Sequence, residues 1–71
     1  LIFNNAPLQQ IMATLSLWYD MDVFYQNPSL LKLHFTGCIK RYDRIETILK
    51  ALSKSVGVNF NIKGKTLIIS M

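Results

Sequence analysis

The sequence holds one cysteine, Cys38, and one histidine, His34, among its 71 residues. A lone thiol excludes an internal disulfide, so the fold must rest on packing. Acidic side chains are scarce as well: Asp20, Asp22, Asp43 and Glu46 are the whole set. No apolar run approaches the roughly 18 residues that a membrane-spanning helix needs. The first residues lack the basic stretch and cleavage site of a signal peptide. With two prolines and three glycines, no linker or low-complexity stretch interrupts the chain. It begins at Leu1 rather than at methionine, and we expect it to be a piece of a longer protein.

What is present suffices for one core. Hydrophobic residues make up 51% and charged residues 17%, a balance that argues against disorder. A chain of this length makes a single domain, residues 1–71, and buries about 60% of its unfolded surface. Its charge is lopsided. Residues 1–31 contain Asp20 and Asp22 and no lysine or arginine; residues 32–71 contain all eight basic residues and two acidic ones. A basic half invites a nucleic-acid reading. The simpler reading is a solvated surface that keeps the domain soluble.

The strongest positive signal is a repeat. At an offset of 37 positions, Leu8 falls on Ile45, Ile11 on Ile48, Met12 on Leu49, Leu15 on Leu52 and Tyr19 on Val56. Met21, Val23 and Tyr25 then fall on Val58, Phe60 and Ile62. In both copies a spacing of three and four gives way to alternation, which predicts a helix followed by a strand, twice. Leu1–Asn4 predicts a first strand. Pro7 fits the first turn of helix one, with Asn5 or Ala6 as its cap. Asn27-Pro28-Ser29 reads as a turn, and Leu33–Lys40 as a strand in which Gly37 marks a bulge or a close backbone approach. Asp43 and Glu46 have the spacing of a capping box for helix two. Lys63-Gly64-Lys65 turns the chain into a last strand, Thr66–Ser70. The expected fold is α+β, a duplicated β-α-β unit in the order β-α-β-β-α-β-β, with two helices packed on small sheets.

Candidate chemistry is thin. Gly64-Lys65-Thr66 looks like the tail of a phosphate-binding loop, but Asn59 stands where the first glycine belongs and a strand follows instead of a helix. His34 and Cys38 on one strand lie about 13 Å apart, too far to share an atom, and no further histidine or cysteine could complete a metal site. Asp43 and Glu46 are assigned to capping, and Asp20 reads as a turn residue. No cofactor or metal is expected. Lys40, Arg41 and Arg44 cluster around Tyr42, but no RNP run or GXXG loop accompanies them, so nucleic-acid binding is the weaker reading. Trp18 flanks the helix-one stripe, and Phe24 points away from Met21, Val23 and Tyr25. Both are candidates for flank packing or for an exposed contact patch.

FNNAPL (Phe3–Leu8), LSLWYDMDVFYQN (Leu15–Asn27), HFTGCIKRYD (His34–Asp43), ILKALSKS (Ile48–Ser55) and FNIKGKTLII (Phe60–Ile69) together resemble the C-terminal domain of FecR-like anti-sigma factors of the Bacteroidota type. Trp18-Tyr19-Asp20 and Phe35-Thr36-Gly37 are the most specific pieces. The resemblance implies a periplasmic domain of a single-pass inner-membrane protein. It implies as partner the N-terminal signalling domain of a TonB-dependent outer-membrane transporter, and control of an extracytoplasmic-function sigma factor by a cytoplasmic part outside this chain. It also implies a fold like the secretin/TonB N-terminal module. A transporter signalling module or a secretin N-domain is accordingly the alternative. An enzyme is not expected, because no acid, base and nucleophile form a set. The expected mode of action is protein binding through strand edges, at Thr66–Ser70 (Thr66, Leu67, Ile68, Ile69) and Leu33–Lys40, with Trp18 and Phe24 as flanking contacts.

Overall fold

The duplicated pattern folds as two equivalent units that share one added strand. The computed structural model describes residues 1–71. The first unit is β1 (Ile2–Pro7), α1 (Leu8–Tyr19) and β2 (Asp22–Tyr25); the second is β3 (His34–Cys38), α2 (Ile45–Val56) and β4 (Asn59–Lys63). A 3-10 helix, Pro28–Lys32, joins them, and β5 (Thr66–Ser70) ends the chain. The order is the one the sequence pattern predicts.

The helix–strand corners are built alike. Asp20 and Gly57, one repeat apart, both cap their helices in the left-handed conformation, at φ 53° and 83°. Each donates its amide to a serine carbonyl, that of Ser16 or of Ser53. The same serines donate their hydroxyls across the corner, Ser16 to the Met21 carbonyl and Ser53 to the Val58 carbonyl. One of the few identities between the copies thus marks a repeated hydrogen bond that fixes how each strand leaves its helix.

The strands form two sheets. β1 and β3 pair antiparallel, and the order in the second sheet is β2-β5-β4. β2 runs parallel and β4 antiparallel to β5, so one strand completes both copies. The Thr66–Ser70 strand, expected at an edge, is therefore central. Its burial explains this: Leu67 and Ile69 are buried and Thr66, Ile68 and Ser70 half-buried, as for a strand flanked on both sides. β3 does lie at an edge, since its sheet has only two strands.

Several local expectations also change. β1 runs on through Pro7 because its register with β3 shifts between Phe3 and Ala6. Asn5 takes φ 51° there and donates its amide to Thr36 Oγ1 at 2.9 Å. Pro7 rather than Asn5 or Ala6 occupies the cap of α1, with no side-chain cap bond. The Leu8 amide instead donates to the Leu33 carbonyl at 2.6 Å, which satisfies a helix-start donor from a distant loop. The Asp43–Glu46 capping box does not form: α2 starts one residue later, with Arg44 at its cap and no side-chain cap bond. The Asn27 turn opens the 3-10 helix, with Asn27 Oδ1 accepting from the Ser29 amide.

Both helical stripes enter one core. Leu8, Ile11, Met12 and Leu15 from α1 and Ile48, Leu49 and Leu52 from α2 are buried, joined by Leu67 and Ile69 from β5. Phe3 and Phe35 pack across β1 and β3 with ring centroids 6.4 Å apart. The Phe35 ring lies over Gly37, where a Cβ would sit 2.5 Å from Phe35 Cζ. That is the close approach the glycine signalled.

Candidate protein-interaction surface

The alternation of β2, β4 and β5 sorts their side chains onto two faces. Register rows Val23–Leu67–Ile62 and Tyr25–Ile69–Phe60 face the helices. Rows Asp22–Thr66–Lys63 and Phe24–Ile68–Asn61 face outward. Phe24, at 57% exposure, and half-buried Ile68 therefore form an apolar pair on an otherwise polar sheet face. Burial of Leu67 and Ile69, 1% and 0% exposed, places their side chains in the core and removes them from any direct contact surface. The β5 backbone is paired on both sides, so it offers no free rim.

Trp18 lies elsewhere. It is half-buried against the core, and the Arg41 guanidinium sits 6.0 Å from its ring centroid. Its neighbour Tyr19 donates its hydroxyl to the Asp43 carbonyl, tying the end of α1 to the loop before α2. Burial, then the Asp43 and Glu46 carboxylates, raise the Tyr19 phenol above its usual range. Burial alone raises that of Tyr25.

The free rims of the three-stranded sheet belong to β2 and β4. Each is accompanied by the helix of its own unit, and each pair leaves an open groove. Beside α2 and β4 the groove holds about 480 Å³; beside α1 and β2 it holds about 460 Å³. Gln9, Met12, Ala13, Ser16, Val23 and Tyr25 line the second. Moved on by one repeat, all six become lining residues of the first: Glu46, Leu49, Lys50, Ser53, Phe60 and Ile62. The grooves are one feature made twice. Sequence reasoning missed them, although the repeat offset was the signal that links them. They differ where Leu31 of the 3-10 helix lines the α1 groove and where Lys50 and Lys54 line the α2 groove.

His34 and Cys38 are both exposed on β3. Asp20 accepts from Lys65 Nζ at 2.9 Å on the surface. No three histidine, cysteine or carboxylate side chains gather where they could hold a metal ion. No helix is long and apolar enough to cross a membrane.

A family profile described as FecR, C-terminal, matches residues 1–69. Two solved structures share the fold. One is a protein assigned as an anti-sigma factor from Parabacteroides distasonis ATCC 8503. The other is a chain of the Salmonella SPI-1 type III secretion injectisome basal body, built of InvG, PrgH and PrgK. Each superposes with a TM-score of 0.83 at 17% identity over 97% of this chain. The chain spans 32% of the first and 14% of the second, so each contains much besides this fold. At that identity the likeness is one of fold. No curated protein matches the chain.

Proposed function

The chain belongs to the FecR C-terminal family, and from that membership we propose that it is the signal-receiving domain of a transmembrane anti-sigma factor. In this reading it lies in the periplasm as one part of a longer single-pass inner-membrane protein. Its partner is the N-terminal signalling domain of a TonB-dependent outer-membrane transporter. Docking there alters the control of an extracytoplasmic-function sigma factor by the cytoplasmic part of the same protein. The domain acts by binding, without catalysis or cofactor.

The match over residues 1–69 carries the proposal. The surface chemistry supports it: exposed Phe24 beside half-buried Ile68, and two free sheet rims. Of the positions singled out in the sequence, Phe24, Ile68 and Thr66 remain as contact candidates on the outer sheet face, and Trp18 as one beside Arg41. A second reading keeps the fold but makes the chain a module of a transporter or secretin; a type III secretion injectisome basal body holds a chain of this fold. A membrane helix upstream in the open reading frame separates the two by favouring the regulator.

The test is a titration of the isotope-labelled domain with a purified transporter signalling domain, followed by amide NMR. Shifts should concentrate on the outer sheet face or on the β2 and β4 rims, and Phe24→Ser should weaken binding by about tenfold or more if Phe24 is an anchor. Amide spectra unchanged at saturating partner would overturn the proposal.

A further inference from the structure

We infer that the groove between α2 and β4 takes an extended acidic polypeptide segment, added as a fourth strand to the β2-β5-β4 sheet. This deepens the proposed function by naming a surface and a class of partner, and it rests on that reading only for the identity of the protein that supplies the segment.

The backbone argument comes first. The two-residue turn at Gly64 and Lys65 closes on the Lys63–Thr66 pair. Hydrogen bonding alternates along an antiparallel ladder, so Lys63, Asn61 and Asn59 direct their amides and carbonyls to β5. Phe60 and Ile62 then direct theirs outward, into the groove. No backbone hydrogen bond outside the sheet ladders involves either residue. Only an extended main chain matches such a row of alternating donors and acceptors. Two of the usual guards of an edge are absent from β4: it has no proline, and its register with β5 is unbroken.

The side chains set the chemistry. Leu49, half-buried Phe60 and partly exposed Ile62 give the groove an apolar floor. Lys50 and Lys54 stand on its helical wall against a single acid, Glu46. The equivalent groove beside α1 has no charged lining residue. Charge complementarity therefore selects an extended segment whose groove-facing alternate positions carry acidic residues beside an apolar one. It also disfavours a second copy, because two-fold pairing of β4 with β4 would set the same lysines against one another.

The 71-residue chain can be titrated with the capped heptapeptide TETVTET, whose second, fourth and sixth side chains share one face. Amide NMR and hydrogen exchange should show new shifts and protection at Phe60 and Ile62. N-methylation of one alternate set of peptide amides should abolish binding, and methylation of the other set should leave it intact. Replacing the two peptide acids by lysine should weaken binding about tenfold, and the K50E/K54E variant should reverse that preference. The inference is overturned if Phe60 and Ile62 stay unprotected, or if both methylated peptides bind like the parent. It is overturned equally if the lysine peptide binds as well as the acidic one, if a thymidine oligonucleotide displaces the peptide, or if the rim is already protected by self-association. Peptide binding without response to the transporter domain would leave this inference standing and remove the proposed function. The converse result would do the opposite.

Discussion

Gly37→Ala probes the β1–β3 layer through one contact whose size the structure gives. A Cβ there would lie 2.5 Å from Phe35 Cζ and 3.2 Å from each Cε. Ordinary contact starts near 3.4 Å, so the ring must retreat by about 1 Å. It has little room, being 8% exposed and tilted at 58° against Phe3. Overpacking of this kind costs about 1–3 kcal/mol. Gly37 does not have positive φ, so alanine suits the backbone and stiffens the unfolded chain, a gain of about 0.4–1 kcal/mol. The net expectation is a loss of about 0.5–2 kcal/mol, set against a total of about 4–11 kcal/mol for a domain of this length. At about 4–8 °C per kcal/mol, Tm should fall by roughly 2–16 °C. Denaturant melts followed by Trp18 fluorescence would measure it. The sharper test repeats the change in a Phe35→Leu background. With the ring gone the clash goes too, and Gly37→Ala should turn neutral or stabilising. An equal loss in both backgrounds, or no loss in either, would refute the account of Phe35 held over Gly37.

Other expectations follow from the repeated corners and the buried phenol. Ser16→Ala and Ser53→Ala should each cost about 1 kcal/mol in denaturant melts, and the double variant should show their sum, because the bonds to Met21 and Val58 lie in separate corners. Substitutions at the equivalent left-handed positions should have opposite signs: Gly57→Ala should destabilise by about 1 kcal/mol, whereas Asp20→Gly should stabilise by about 0.5 kcal/mol, since its exposed contact with Lys65 offsets little. Burial raises the folded Tyr25 phenol above its usual value of 10.0, so the folded state holds that proton more tightly than the unfolded chain does. This contribution is fully present below the unfolded value and is lost as pH rises past it and through the folded one. Tyr25→Phe should therefore flatten the decline in denaturation midpoint between about pH 9 and 11.

The two helices were legible because their signal is local and repeated. The stripes from Leu8 to Leu15 and from Ile48 to Leu52 are the buried faces, and the alternation after each helix is the strand. Gly57 and Gly64 stand where positive φ is needed. The cap of α2 was misread because Asp43 and Glu46 have the right spacing, while the helix begins at Ile45 and passes them by. The extension of β1 depends on Thr36, thirty-one residues from Asn5. The grooves were invisible without pairing: a groove needs a strand with an unpaired side, and no local pattern says which strand that is.

From its amino acids alone the chain determined two amphipathic helices, alternating strands and a turn at Gly64, because side-chain periodicity and backbone freedom act within a few residues. Tertiary structure alone decided that β5 sits between β2 and β4. That choice is a contest among distant strands for the same amides and carbonyls, settled by which arrangement buries Leu67 and Ile69 beneath both helices' apolar faces. It leaves the β4 rim open beside Lys50 and Lys54, and so decides where another protein could attach.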